Sequence, residues 1–276
     1  MNEPMPTLPL IVERLTVRAA QGALVDGISF CHEGGLVALV GESGSGKTMT
    51  ARALLGLTPR GCRVEAQRLL FRGQDLLAAT PADWRHLRGR HIGLVQQDPR
   101  YALNPVKTVA WQVEEGLRLH HRHLGRRERR ERVEAMLTAV GLTPNRRLLN
   151  AYPHHLSGGM GQRVMLAASL ISEPALLIAD EPTSALDEAL RRQALDLIAS
   201  LAEARGMAVL LISHDLPLVA HYCRQALVMR HGALLETLPA GELAHARHPY
   251  TQMLWRCQPS AATYGQQLPV WEEDAP

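Results

Sequence analysis

Leu36–Val40, LVALV, runs into Gly41–Thr48, GESGSGKT, and on into the helical stretch KTMTARALLGL that begins at Lys47; these residues decide the fold. An unbroken apolar run of this length suits a strand buried on both faces. The turn after it fits GxxxxGK[ST], a pattern that has meaning only between a strand and a helix, and both neighbours are expected here. Its glycines let backbone N–H groups turn inward on phosphate oxygens, and the helix N-terminus adds the positive end of its dipole. Gly41, Glu42, Ser43, Gly44, Ser45, Gly46, Lys47 and Thr48 are therefore the expected phosphate cradle. Lys47 would bridge the β- and γ-phosphates of a nucleoside triphosphate, and the Thr48 hydroxyl would ligate Mg²⁺.

Working outward, Leu10–Gly35, LIVERLTVRAAQGALVDGISFCHEGG, alternates short apolar runs with turn residues and predicts an antiparallel β-meander. Two further buried-strand candidates, ALLIAD at Ala175–Asp180 and AVLLIS at Ala208–Ser213, flank a helical stretch from Asp187 to Arg205. Strands alternating with helices imply a parallel α/β core. Thr108–Gly141 is polar and helix-rich, so residues from about 98 to 165 are expected to form an inserted helical subdomain. Its basic cluster, Arg126–Arg132, is interleaved with glutamates and reads as a solvated helix face. After Arg230 the chain reads HGALLETLPAGELAHARHPYTQMLW, a hairpin-like turn and then a short helical tail; residues 260–276 read as irregular.

Composition narrows the class. With 276 residues, 46% hydrophobic and 21% charged, the chain can bury a sizeable core. No stretch reaches the ~18 apolar residues that span a bilayer, and MNEPMPTLPL lacks the layout of a secretory signal, so a cytoplasmic protein is expected. Cys31, Cys62, Cys223 and Cys257 form no CxxC pair, which argues against a disulfide framework or a zinc ribbon. A net charge of +3 demands no nucleic acid or anionic lipid. His120, His121, His123, His154 and His155 fall on a charged helix and a loop without chelating spacing, and no metal site is expected there.

The second carboxylate position closes the chemistry. Ala175–Glu181 ends an apolar strand in Asp180-Glu181, at the carboxyl edge of the sheet where ligands bind. Asp180 is placed to hold Mg²⁺, and Glu181 to polarise an attacking water as general base.

Leu156–Arg163, LSGGMGQR, resembles the signature of ABC ATPases and lies between the phosphate loop and the Asp-Glu strand, as that family requires. DEPTSALD at Asp180–Asp187 and His214 after the last buried strand complete the motif order across almost the whole chain. The resemblance implies the ABC ATPase fold over residues 1–259, with ATP as nucleotide and Mg²⁺ as metal. It implies that Gln97, in GLVQQDPRYALNP, senses Mg²⁺ or water and couples the site to the helical subdomain, and that His214 contacts the γ-phosphate. Ser157, Gly158 and Gly159 open onto a helix expected near Met160, forming a second anion cradle. In the family that cradle closes over the γ-phosphate held by an opposing subunit, so two ATP molecules are sandwiched in a head-to-tail dimer.

QDPRYALNP, YPHHLSGGMGQR and ARHPYTQMLW are similar to the importer branch for oligopeptides, dipeptides and nickel or metal–chelator complexes. That branch implies two membrane permease subunits, a second and non-identical ATPase, an extracytoplasmic binding protein, a peripheral position on the cytoplasmic side of the inner membrane, and no nucleic acid. Three departures stand out. Ala19, in LTVRAAQG, occupies the position of the family's adenine-stacking aromatic; Gly161 replaces a larger signature residue; EALRRQ follows Asp187 in place of a VTVQAQ-like run. Only Cys257 remains where peptide members often carry a cysteine cluster, and the tail is short, which leans towards nickel- or metallophore-like cargo. The alternatives are ABC ATPases acting on DNA or in translation. Lys47 to Ser157 holds none of the sustained heptads of the first, and one phosphate loop is present where the second carries two.

Overall fold

The computed structural model describes residues 10–184 and 186–258. The tail expected at 260–276 lies outside the described residues. Among the described residues, backbone contacts divide the chain into two units, the first taking 10–32, 36–77 and 211–258, the second 33–35 and 78–210.

In the first unit, Leu10–Ala19 (β1) pairs antiparallel with Gly22–His32 (β2), as the meander pattern predicts. Leu10, Val12, Leu15 and Val17 are buried, so the period-two alternation changes phase between Val12 and Leu15. The ladder shifts register there and Arg14 adopts a φ of 51°, a β-bulge that lets both apolar pairs face the core. Gly35–Val40 (β3) leads through the glycine-rich turn into Lys47–Leu54 (α1). The helix stops short of Leu57 because Gly56 turns left-handed, at φ 59°. Three short strands, Arg63–Glu65 (β4), Arg68–Phe71 (β5) and Gln74–Asp75 (β6), to which the sequence reading assigned nothing, complete a five-stranded sheet around β1.

The second unit begins with Pro81–Leu87 (α2), capped by Thr80 and Asp83, and Ile92–Val95 (β7). Pro99–Ala102 (α3), Val109–His120 (α4), Arg126–Ala139 (α5), Arg146–Leu149 (α6) and Gly158–Leu170 (α7) follow. Helix α4 packs on α5 and α7, and Val113 and Leu117 of α4 and Val133 and Leu137 of α5 are buried. Much of the basic face of α5 is solvated, with Arg127–Glu131, Arg130–Glu134 and Arg132–Glu128 pairs one turn apart, but Arg129 turns inward and pairs with Glu114 of α4 at 2.7 Å. Leu176–Asp180 (β8) runs parallel to β7 in the register Ile92↔Leu176 to Val95↔Ala179. Glu188–Arg205 (α8), capped by Asp187, leads to Ala208–Ile212 (β9), through which the chain returns to the first unit.

There Leu216–Tyr222 (α9), Gln225–Arg230 (β10), Ala233–Pro239 (β11) and Pro249–Arg256 (α10) complete the described chain. Strand β10 lies parallel to β3, Gln225↔Val37 through Val228↔Val40, and forms the expected hairpin with β11. The Ser213 N–H donates to Leu39 O at 3.4 Å, which sets the end of β9 beside β3. Leu36–Val40 and Ala208–Ile212 are buried throughout, which is why both read as continuous apolar runs.

Candidate active site

The β3–β10 register fixes the phosphate loop. Val40 lies opposite Val228, so the next residue, Gly41, meets Met229; a Cβ on Gly41 would stand 2.1 Å from Met229 O. A Cβ on Gly46 would stand 2.7 Å from Leu24 O. At Gly44 the loop faces open space, with nothing within 4 Å of such an atom. Lys47 is buried, and its Nζ donates to Gly41 O (2.8 Å), Glu42 O (2.6 Å) and Ser45 Oγ (3.1 Å), which places the ammonium at the centre of the loop. No side chain caps α1, because its cap residue is Gly46. A loop closed to side chains where it packs, open at Gly44, centred on a lysine and leading to an uncapped helix start fits a polyphosphate. Ser43 and Thr48 are exposed on this loop and helix start. His214 follows Ser213, whose bond to Leu39 places it by the carboxyl end of the same strand.

In the second unit the β7–β8 register does equivalent work. Val95 lies opposite Ala179, so two residues further along Gln97 and Glu181 come face to face, and Gln97 Nε2 donates to Glu181 Oε2 at 2.8 Å. Asp180 ends β8 immediately before Glu181. The side-chain oxygens of Thr48, Asp180 and Gln97 are hard donors of the kind Mg²⁺ takes. Glu181 has φ 47°, a left-handed conformation for a side chain with a Cβ, worth ~1–3 kcal/mol of strain. The sequence reading missed what holds it there: Gln162, buried within α7, donates from Nε2 to Glu181 O at 3.2 Å.

The helix of the signature starts at Gly158, earlier than the Met160 expected, because Ser157 is its cap and accepts the Met160 N–H at 3.3 Å. Gly158 and Gly159 are the first two residues of α7, where backbone N–H groups have no intrahelical acceptor. The small residue at 161 also finds a reason: a Cβ there would stand 3.3 Å from Pro99 Cβ, so α3 lies tightly on α7. Ala19 ends β1 opposite Gly22 and offers a methyl group where a stacking ring was looked for.

A family model described as ABC transporter matches residues 25–184, more than half of the chain. The chain belongs to the ABC transporter family. It is an ABC-type ATPase coupled to transport. Among its relatives is the dipeptide transport ATP-binding protein DppD of Escherichia coli (strain K12), 42% identical over 259 residues, covering 92% of this chain and 79% of DppD. A putative peptide import ATP-binding protein of Brucella abortus (strain 2308), BAB2_1052, is 44% identical over 218 residues, covering 78% of this chain and 65% of that protein. Among solved structures, cbiO1 from Clostridium perfringens, part of the ABC transporter complex cbiONQ, has a TM-score of 0.74 at 26% identity, covering 87% of this ABC ATPase and 91% of cbiO1. The ATP-binding cassette MJ0796, in a dimeric post-hydrolysis state bound to ADP and Pi, has a TM-score of 0.73 at 25% identity over 84% of this chain and 98% of that one. Among the described residues no helix is long and apolar enough to cross a membrane.

Proposed function

We propose that this ABC ATPase hydrolyses MgATP to drive an importer of peptides. Lys47 and the Gly41–Thr48 loop hold the β- and γ-phosphates, Thr48, Asp180 and Gln97 would supply oxygens to Mg²⁺, His214 contacts the γ-phosphate, and Glu181 accepts a proton from the water that attacks phosphorus. Mg²⁺, when bound, neutralises charge on the phosphate oxygens. Gln97 Nε2 holds the Glu181 carboxylate through Oε2, at 2.8 Å. That hydrogen bond is the observation that carries the reading, because it joins the residue proposed to sense the nucleotide to the residue proposed to activate water.

Ser157, Gly158 and Gly159 act on the ATP of a second, non-identical cassette in a head-to-tail pair, which the dimeric state of MJ0796 supports. The pair works on two membrane permease subunits, fed by an extracytoplasmic binding protein, from the cytoplasmic face of the inner membrane. Peptide cargo is preferred over nickel or metal chelates because relatives at 42% and 44% identity carry dipeptide and peptide transport in their names. Uptake of a labelled dipeptide and of nickel in a strain deleted for this chain tests the preference. Loss of dipeptide entry alone supports it; loss of nickel entry with dipeptide entry intact replaces it.

A further inference from the structure

Tyr250 is the largest fully buried side chain in the described chain, and its hydroxyl oxygen accepts the N–H of Glu42 at 3.0 Å, 208 residues away in sequence. That N–H belongs to the peptide unit whose carbonyl, Gly41 O, accepts from Lys47 Nζ at 2.8 Å. One rigid amide therefore has the phenol on one side and the ammonium on the other. Burial pushes the Tyr250 phenol above its ordinary value, so the ring stays protonated and neutral.

The segment leading into α10 is built to present this hydroxyl. Glu236 accepts the N–H groups of Arg247 (2.8 Å) and His248 (3.3 Å), which fixes the chain as it approaches the helix. His248 caps α10 by accepting the Tyr250 N–H on Nδ1 at 3.1 Å, Pro249 takes the first helical position, and Gln252 Nε2 ties back to Ala246 O at 2.9 Å. Arg230 closes the arrangement, its guanidinium 5.2 Å from the centre of the Tyr250 ring and its Nε 3.4 Å from the Glu42 carboxylate.

We propose that Tyr250 is a positioning residue for the phosphate loop, through which the segment from Glu236 to Gln252 sets the affinity of this chain for MgATP. The inference rests on the MgATP reading given above. Removing the hydroxyl leaves the Glu42 N–H without its acceptor and frees the Gly41–Glu42 peptide to rotate, carrying Lys47 with it. Glu181 makes no part of this contact, so binding suffers more than chemistry.

The test compares MgATP binding and steady-state hydrolysis by the full-length chain and by Tyr250→Phe, which keeps the ring. The expected result is a KM for MgATP raised ~3- to 10-fold with kcat within about twofold and an unchanged circular dichroism spectrum. An unchanged KM in a folded Tyr250→Phe overturns the inference and leaves the MgATP reading standing, whereas a wild-type chain that binds no MgATP overturns both. 3-Fluorotyrosine at position 250, a one-atom change that keeps the hydroxyl, gives a second readout: its ¹⁹F resonance moves on saturation with MgADP. A resonance indifferent to MgADP overturns the inference even where Tyr250→Phe cannot be purified.

Discussion

At the scale of single residues, Gly41 and Gly44 of the phosphate loop separate backbone strain from steric exclusion. Gly44 has φ 82° with open space around a would-be Cβ, so Gly44→Ala costs only the left-handed conformation, about 1–2 kcal/mol. Gly41→Ala drives a methyl into Met229 O and adds overpacking of about 1–3 kcal/mol. Thermal melts of the two variants should therefore differ, with Gly41→Ala the less stable; equal melting temperatures would refute the account of the β3–β10 register. Cys223 gives a pH-dependent test. Burial pushes its thiol from 9.0 up to about 12, so the folded state favours the protonated form. The associated stability is complete below 9.0 and declines as pH rises towards about 12. Alkylation at pH 8.5 should modify exposed Cys31 and spare Cys223; rapid loss of both thiols in the native chain would contradict the burial. The phosphate-loop residues were legible in the sequence because their spacing is local. Gln162 and Tyr250 were not, since the partner of each, Glu181 O or Glu42 N–H, is remote in the chain and found only through the fold.

Among elements, the two faces of α5 make opposite predictions. The Arg127–Glu131 pair on α5 joins exposed side chains, so Glu131→Ala should shift stability by less than about 0.5 kcal/mol, whereas Leu137→Ala on the buried face should cost about 2–5 kcal/mol. Urea unfolding of the two variants measures both, and a comparable loss from each would contradict the assignment of faces. On α7, Gly161→Leu has to displace Pro99, at the start of α3 and two residues from Gln97. The expected outcome is a folded chain with kcat reduced ~10-fold or more through displacement of Gln97 from Glu181, measured beside a melt that shifts by a few degrees. Full activity in Gly161→Leu would show that the closeness of α3 and α7 has no bearing on the site. The long helices and the buried strands β3, β8 and β9 were readable from the sequence, whereas β7 was not assigned. Strands β4, β5 and β6 were not, because over two to four residues neither alternation nor a buried run can be told from a loop.

For the whole molecule, the motif order specified the family before any coordinate was known, and the ABC transporter match bears that out. Cargo was harder to read, because no residue of the cassette is argued to touch it; the cysteine pattern leaned towards metal chelates, and the relatives' names lean towards peptides. Partners are equally a property of other chains, and Ser157-Gly158-Gly159 are proposed to supply half of a contact whose other half lies elsewhere. The central claim, that Glu181 held by Gln97 activates the water that cleaves ATP, is tested most directly by phosphate release from purified wild-type chain and Glu181→Gln, each supplied with MgATP and with its partner cassette. The account predicts hydrolysis lowered ~100-fold or more in Glu181→Gln with MgATP binding retained. Hydrolysis by Glu181→Gln at the wild-type rate would contradict it.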